Sequence, residues 1–138
     1  MLNRAAIAAR VPQAGAMCLL ERVIAWDDGH IACEARVEPA GHPLARDGRV
    51  PAIAAVEYAA QATAVHGALL EPGSGPRDGM LAKLNDVELS PGVLDGRLEV
   101  RADVLSRGAA GCIYGFTVHD AGGCRARGRL LVALQDAR

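Results

Sequence analysis

Rings are scarce in this chain: one Trp, two Tyr and one Phe among 138 residues. So few aromatics leave little surface on which bases can stack. The formal net charge is -1, and no basic run interrupts the sequence, so the electrostatic footprint of a phosphate-backbone binder is missing as well. Nucleic acid is not expected as a partner. Paired cysteines are also lacking. Cys18, Cys33, Cys112 and Cys124 stand singly, with no Cys-x-x-Cys and no His at ligand spacing beside them, which points to neither a zinc site nor a disulfide framework. They read as small hydrophobes in a reducing, cytoplasmic protein, and neither metal nor cofactor is expected. Arg4 and Arg10 in an Ala-rich, acid-free start faintly resemble a transit peptide, but no long uncharged apolar run follows to suggest secretion.

What is present is aliphatic. Hydrophobic residues make up 51% of the chain, so the core must be built from Ala, Val, Leu and Ile. The length suits one domain, residues 1–138, too small to divide in two.

Local signals give the order of elements. Asn3 can cap a short helix from Ala5 to Arg10 that Pro12 stops. A strand from Met17 to Trp26 meets a second, His30 to Val37, across Asp28-Gly29, which reads as a hairpin. Residues 38–50 hold Pro39, Gly41, Pro43 and Gly48 and form a loop of definite shape. From about 51 to 70 the spacing predicts one long helix, with Pro51 suited to its first turn and a run of Ala through its length. Glu57, Gln61 and His66 inside it argue against a membrane span, and an all-round apolar helix is one that other structure surrounds. EPGSGPRDG, 71–79, is a connection. Four further strands follow, Met80–Leu89, Leu98–Leu105, Cys112–Asp120 and Cys124–Leu134, with turns between them. Two strands, a helix and four strands make an α+β fold, an antiparallel sheet of about six strands wrapped around one central helix.

Glu57 stands out on that helix. Its face also carries Ile53, Ala54, Ala60, Gln61, Ala64 and Ala68. A carboxylate among methyl groups loses hydration that a partner, a proton or a ligand must replace. A structural hydrogen bond to a loop or a second subunit would serve; so would chemistry, and a stripe of small residues suits a slender ligand in a narrow channel. His66 projects from the opposite side and reads as a satisfied core or interface histidine. His30, beside a turn, and His119, near a strand end, read as solvated. His42 lies in the constrained loop between Gly41 and Pro43, where an ordinary exposed histidine and a functional one are both open readings.

The sequence resembles the hot-dog-fold 3-hydroxyacyl-[acyl-carrier-protein] dehydratases, which carry a Gly-His-Phe-Pro loop, a Pro-Gly at the start of the long helix and a Glu-x-x-Ala-Gln one turn inside it. The matching text here is Gly41-His42-Pro43, Pro51-Ala52 and Glu57-Tyr58-Ala59-Ala60-Gln61. PQAGAMCLLERV (12–23) is similar to the family's opening strand, and LAKLNDVELSPG (81–92) to the strand that ends in Pro-Gly. The departures are that His42 lies one residue farther from the helix, the loop lacks Phe, Ala52 replaces Gly, and Gln13 replaces the opening His. DGRVPAIAAVEYAAQ is similar to a divergent branch associated with aryl-polyene-type pigment clusters.

The resemblance implies a hydro-lyase that eliminates water from a 3-hydroxyacyl thioester to give the trans-2-enoyl product, with an acyl carrier protein or coenzyme A as carrier. It implies His42 as the base at C2 and Glu57 as the group that assists departure of the C3 hydroxyl, as acid or through an ordered water. Backbone N–H groups near Ala52 and Ile53 would meet charge on the thioester oxygen, aided by the helix dipole, and Gln61 would support the site. It also implies a homodimer whose sites draw His and Glu from different subunits, with dimers able to assemble further. Arg46 and Arg49 are candidates for docking an acidic carrier protein. Two alternatives remain open: a hot-dog acyl thioesterase that uses the helix carboxylate to activate water, and a catalytically silent acyl-binding partner subunit.

Overall fold

The computed structural model describes residues 1–11, 17–71, 81–109 and 111–133. The expected stop at Pro12, the match at Gln13, most of the 71–79 connection, the strand start at Met80 and the strand end at Leu134 lie outside these residues.

Helix α1 runs Arg4–Ala8, with the Asn3 side chain accepting from Ala6 N. Strands β1 (Arg22–Asp27) and β2 (His30–Val37) form the expected hairpin. Its turn is fastened by Asp27, whose Oδ1 accepts from Gly29 N and His30 N. Met17 to Leu20 does not join β1, contrary to the expected strand start; Cys18, Leu19 and Leu20 are instead buried outside any strand. Two short strands, β3 (Val50–Pro51) and β5 (Val93–Leu94), pair with each other alone. The long helix begins as a 3-10 turn, Ala52–Ala54, and continues as α2, Ala55–Leu70. Pro51 therefore belongs to the strand before the helix rather than to the helix itself. Strands β4 (Leu81–Leu89), β6 (Gly96–Gly108), β7 (Gly111–Asp120) and β8 (Gly123–Ala133) complete the chain.

Six strands form one antiparallel sheet in the order β1-β2-β6-β7-β8-β4. After β2 the chain crosses the sheet through α2, lays down the far edge as β4, and returns to the centre with β6. The α+β fold, with about six antiparallel strands around one helix, is the architecture expected. No helix among the described residues is long and apolar enough to cross a membrane.

The side of α2 that faces the sheet is made of Ala55, Tyr58, Ala59, Ala62, Val65 and His66, all buried, at the i, i+3, i+4 spacing of one helical face. Alanines let the helix axis approach the sheet closely, where Val100, Ala102, Phe116, Val118 and Leu130 complete the core. His66, fully buried, is the satisfied core histidine anticipated. Its Nε2 lies 2.7 Å from the Asp27 carbonyl and its Nδ1 2.7 Å from Tyr114 Oη. A carbonyl only accepts, so Nε2 carries the proton and Tyr114 donates to Nδ1.

Burial, the largest influence, holds His66 below the ordinary 6.5 of histidine. The unfolded chain therefore binds more protons than the folded one just below pH 6.5, and stability falls as pH drops through that window until the folded ring itself is protonated. Replacing the ring by His66→Phe leaves the Tyr114 hydroxyl and the Asp27 carbonyl short of a partner. The expected cost is about 1–3 kcal/mol, with a flatter stability profile between pH 5 and 7, both readable from urea melts at a series of pH values (~5–7).

Candidate active site

Glu57 sits one turn into α2 on the side the sheet leaves uncovered. With Ala60 and Ala64 it is half-buried within the single chain, so the small-residue stripe presents an open face. Gln61, four residues on, is fully buried. Its Oε1 accepts from Leu19 N at 2.8 Å, while its Nε2 donates to Met17 O and, at 3.2 Å, to Glu57 Oε1. One amide thus ties the 17–19 segment to the helix and orients the carboxylate. Both ends of the Gln61 amide, expected in the sequence to support the site and bind substrate, are engaged inside the protein.

At the start of the helix lie the two residues whose backbone was singled out in the sequence, Ala52 and Ile53. Ala52 N–H donates to Gly92 O at 3.1 Å, extending the short β3–β5 pairing, so that group is occupied. Ile53, with its side chain 54% exposed, is the position whose N–H remains an N-terminal donor of the helix. Its side chain points to solvent rather than into the protomer's core.

The 38–50 loop has the definite shape its composition suggested. Gly41 takes a positive φ of 77°, a region that favours glycine. His42 N donates to Pro39 O, and Ala45 N to His42 O. Asp47 and Gly48, both at positive φ, turn a tight hairpin closed by Arg46 and Arg49, whose backbones exchange hydrogen bonds in both directions. Both arginines are exposed.

His42 is held at both nitrogens. Leu44 N donates to Nδ1 at 3.0 Å, and Nε2 lies 3.0 Å from Tyr58 Oη. The rings stand 6.1 Å apart at 37°. Both line a cavity of about 250 Å³ whose walls include Cys18, Leu19, Gly41 and Pro43, and whose charged members are Arg4, Glu21, Arg36 and Glu38. Burial lowers the His42 pKa from 6.5 and raises that of Tyr58, also near Glu21, to about 12. Within the protomer, then, His42 meets Tyr58. Tyr58 was missed in the sequence because its neighbour supplied the evident charge; the i, i+3, i+4 spacing that places it toward the sheet was the available signal.

Of the four free cysteines, Cys18 and Cys33 are buried as expected, and burial pushes Cys33 up to about 12, whereas Cys112 is half-buried and Cys124 exposed. Among the described residues no group of His, Cys, Asp and Glu is arranged to hold a metal.

A long helix cradled by an antiparallel sheet, with a carboxylate on its open face, defines a hot-dog fold. The chain belongs to the ApeP-like family of dehydratases, whose family model, described as ApeP dehydratase, matches residues 5–137. Among solved structures it is similar to the dehydratase heterocomplex ApeI:P from Xenorhabdus doucetiae, at 21% identity and a TM-score of 0.82, over 99% of this chain and 93% of that one. It also resembles a mutant thioesterase of Pseudomonas aeruginosa, at 18% identity and a TM-score of 0.54, over 83% and 81% of the two chains. A third likeness is to AziG of S. sahachiroi, at 22% identity and 0.55, over 86% and 93%. No curated protein matches by sequence.

Gln61→Ala frees the 17–19 segment and leaves Leu19 N–H and Met17 C=O without their buried partner. The expected result is a loss of about 1–3 kcal/mol in stability, read as a lowered melting temperature. Gln61→Glu, which keeps an acceptor for Leu19 but sets a carboxylate against Glu57, should destabilise more at pH 8 than at pH 5.

Proposed function

We propose that this dehydratase eliminates water from a 3-hydroxyacyl thioester, as a hydro-lyase acting on an acyl chain borne by an acyl carrier protein, in the assembly of an aryl-polyene-type product. The observation that carries the reading is Glu57 on the uncovered face of α2, oriented by Gln61, in a chain matched by the dehydratase family over almost all its length. The reaction must lose a proton from C2 and hydroxide from C3, so one group takes a proton and one gives it. His42 and Glu57 are the groups the family resemblance assigns to these tasks, His42 at C2 and Glu57 at the departing hydroxyl. Ile53 N–H, at the positive end of the helix, is the backbone donor available to the thioester oxygen.

Two copies would complete the site. The half-buried Glu57 face and the sheet edges β1 and β4 are surfaces that pairing would cover, and His42, turned toward its own Tyr58, leaves room for a second subunit to bring its loop to Glu57. A homodimer is one arrangement. The Xenorhabdus relative is a heterocomplex, which supports another, in which an unlike hot-dog subunit takes the second place. Arg46 and Arg49, side by side on an exposed hairpin beside the helix start, suit the docking of an acidic carrier protein.

The test is hydration of a trans-2-enoyl thioester, followed as loss of its ultraviolet absorbance, by the chain alone and with a candidate partner. Turnover should fall by about 10²-fold or more in both Glu57→Gln and His42→Ala. Wild-type turnover in both variants overturns the assignment, and release of free thiol from an acyl-coenzyme A panel without hydration favours a thioesterase.

A further inference from the structure

Two hydrogen bonds decide what His42 can do. The Leu44 N–H points at Nδ1, so that nitrogen presents a lone pair and carries no proton. A neutral imidazole has one N–H, which must then sit on Nε2. Nε2 is the atom 3.0 Å from Tyr58 Oη, and the bond therefore runs from His42 to Tyr58. Charging the ring would set an Nδ1–H against the Leu44 N–H, and burial opposes the charge as well. Nε2 then has no lone pair with which to take a proton.

Tyr58 is the next link. Its oxygen accepts from His42, so its own proton is left to be given elsewhere. The phenol is 1% exposed yet shares the walls of the 250 Å³ cavity with His42. Burial keeps it protonated at any working pH. A neutral histidine that donates to a phenol leaves the phenol O–H as the free donor of the pair, the kind of group that stabilises negative charge on a carbonyl oxygen without moving a proton.

Resting on the dehydratase reading, we propose that Tyr58 is a catalytic residue that donates a hydrogen bond to the thioester oxygen, that His42 positions it as a neutral donor, and that Glu57 alone moves the proton. The Glu57 carboxylate takes the C2 proton, and the C–H electron pair becomes the enolate whose oxygen Tyr58 holds. That pair then forms the C2=C3 double bond as the C3–O bond breaks. The departing oxygen takes the proton back from Glu57 and leaves as water. Tyr58 and His42 keep their protons throughout, Glu57 ends as it began, and no further reactant is needed. Side chains of adjacent helical residues diverge by about 100°, so the carboxylate that meets this pair is the one brought by the second subunit.

Two measurements test this. The first is kinetic, with the trans-2-enoyl N-acetylcysteamine thioester as probe and the turnover-competent assembly as enzyme. Tyr58→Phe should lower kcat by about 10²-fold with KM little changed. His42→Asn, whose amide can donate but cannot take a proton, should keep activity within about tenfold of wild type, while His42→Ala falls to the level of Tyr58→Phe. An Asn variant as inactive as the Ala variant, beside a fully active Tyr58→Phe, overturns the proposal. So does an acid limb of kcat/KM in the histidine range that vanishes in His42→Asn. The second is long-range proton–nitrogen NMR of ¹⁵N-histidine-labelled wild-type protein, which needs no variant to fold. A proton on Nε2 supports the proposal and a proton on Nδ1 overturns it. Wild-type protein that hydrates no enoyl thioester sinks the dehydratase reading separately, because the NMR result still reports the His42 tautomer.

Discussion

Everything in this molecule is arranged around how closely an alanine-faced helix can lie on a sheet. Ala55, Ala59 and Ala62, set among the larger Tyr58, Val65 and His66, bring α2 down onto β2, β6, β7 and β8. The close approach leaves the polar groups carried on that helix no water to turn to, so each must find a partner in the protein or lose hydration at a cost of a few kcal/mol. The partners found then fix the rest. His66 ties the first hairpin's turn to β7 through the Asp27 carbonyl and Tyr114. Gln61 ties the 17–19 segment to the helix. Tyr58 ties down the 38–50 loop through His42. Three polar side chains spaced along the helix thus do what a larger aromatic core would do elsewhere, and they do it with direction as well as area.

That division explains which side of the helix is left for chemistry. Glu57 is the polar group that the sheet does not take in; it meets Gln61 from outside. A carboxylate whose Oε1 accepts from a buried amide is oriented by it. The stripe of Ala60 and Ala64 beside it stays half-buried in the single chain, which is the surface a second subunit or an acyl chain would complete. The catalytic reading and the oligomeric one therefore concern the same face.

The strands and the hairpins were legible in the sequence because they rest on patterns several residues long: apolar runs bounded by turn residues, Asp28-Gly29 at the first turn, and loop residues between the later strands. The long helix was legible from its Ala run, and the core position of His66 from its angle to Glu57. What was not legible depends on contacts between distant segments. The β3–β5 pairing joins two residues to two, too few to show a period, yet it sets where the helix begins, at Ala52, and occupies the N–H expected to face substrate. The 17–20 segment is as apolar as a strand, but its backbone groups are taken by the Gln61 amide, 42 residues away from Leu19, and by the Arg4 guanidinium on Cys18 O. Tyr58 looked like core because it is core; that its hydroxyl also reaches the loop histidine follows from where the loop folds back.

The loop histidine shows how a motif can persist while its chemistry is set by its neighbours. A histidine is a base at a given nitrogen only if the other nitrogen holds the proton, and that is decided by what the other nitrogen touches. A carbonyl there would leave Nε2 free to accept. Here the 42–44 turn places a backbone N–H there instead, and Nε2 becomes a donor. Residue identity at position 42 is thus compatible with either role, and the tautomer, not the motif, decides between them.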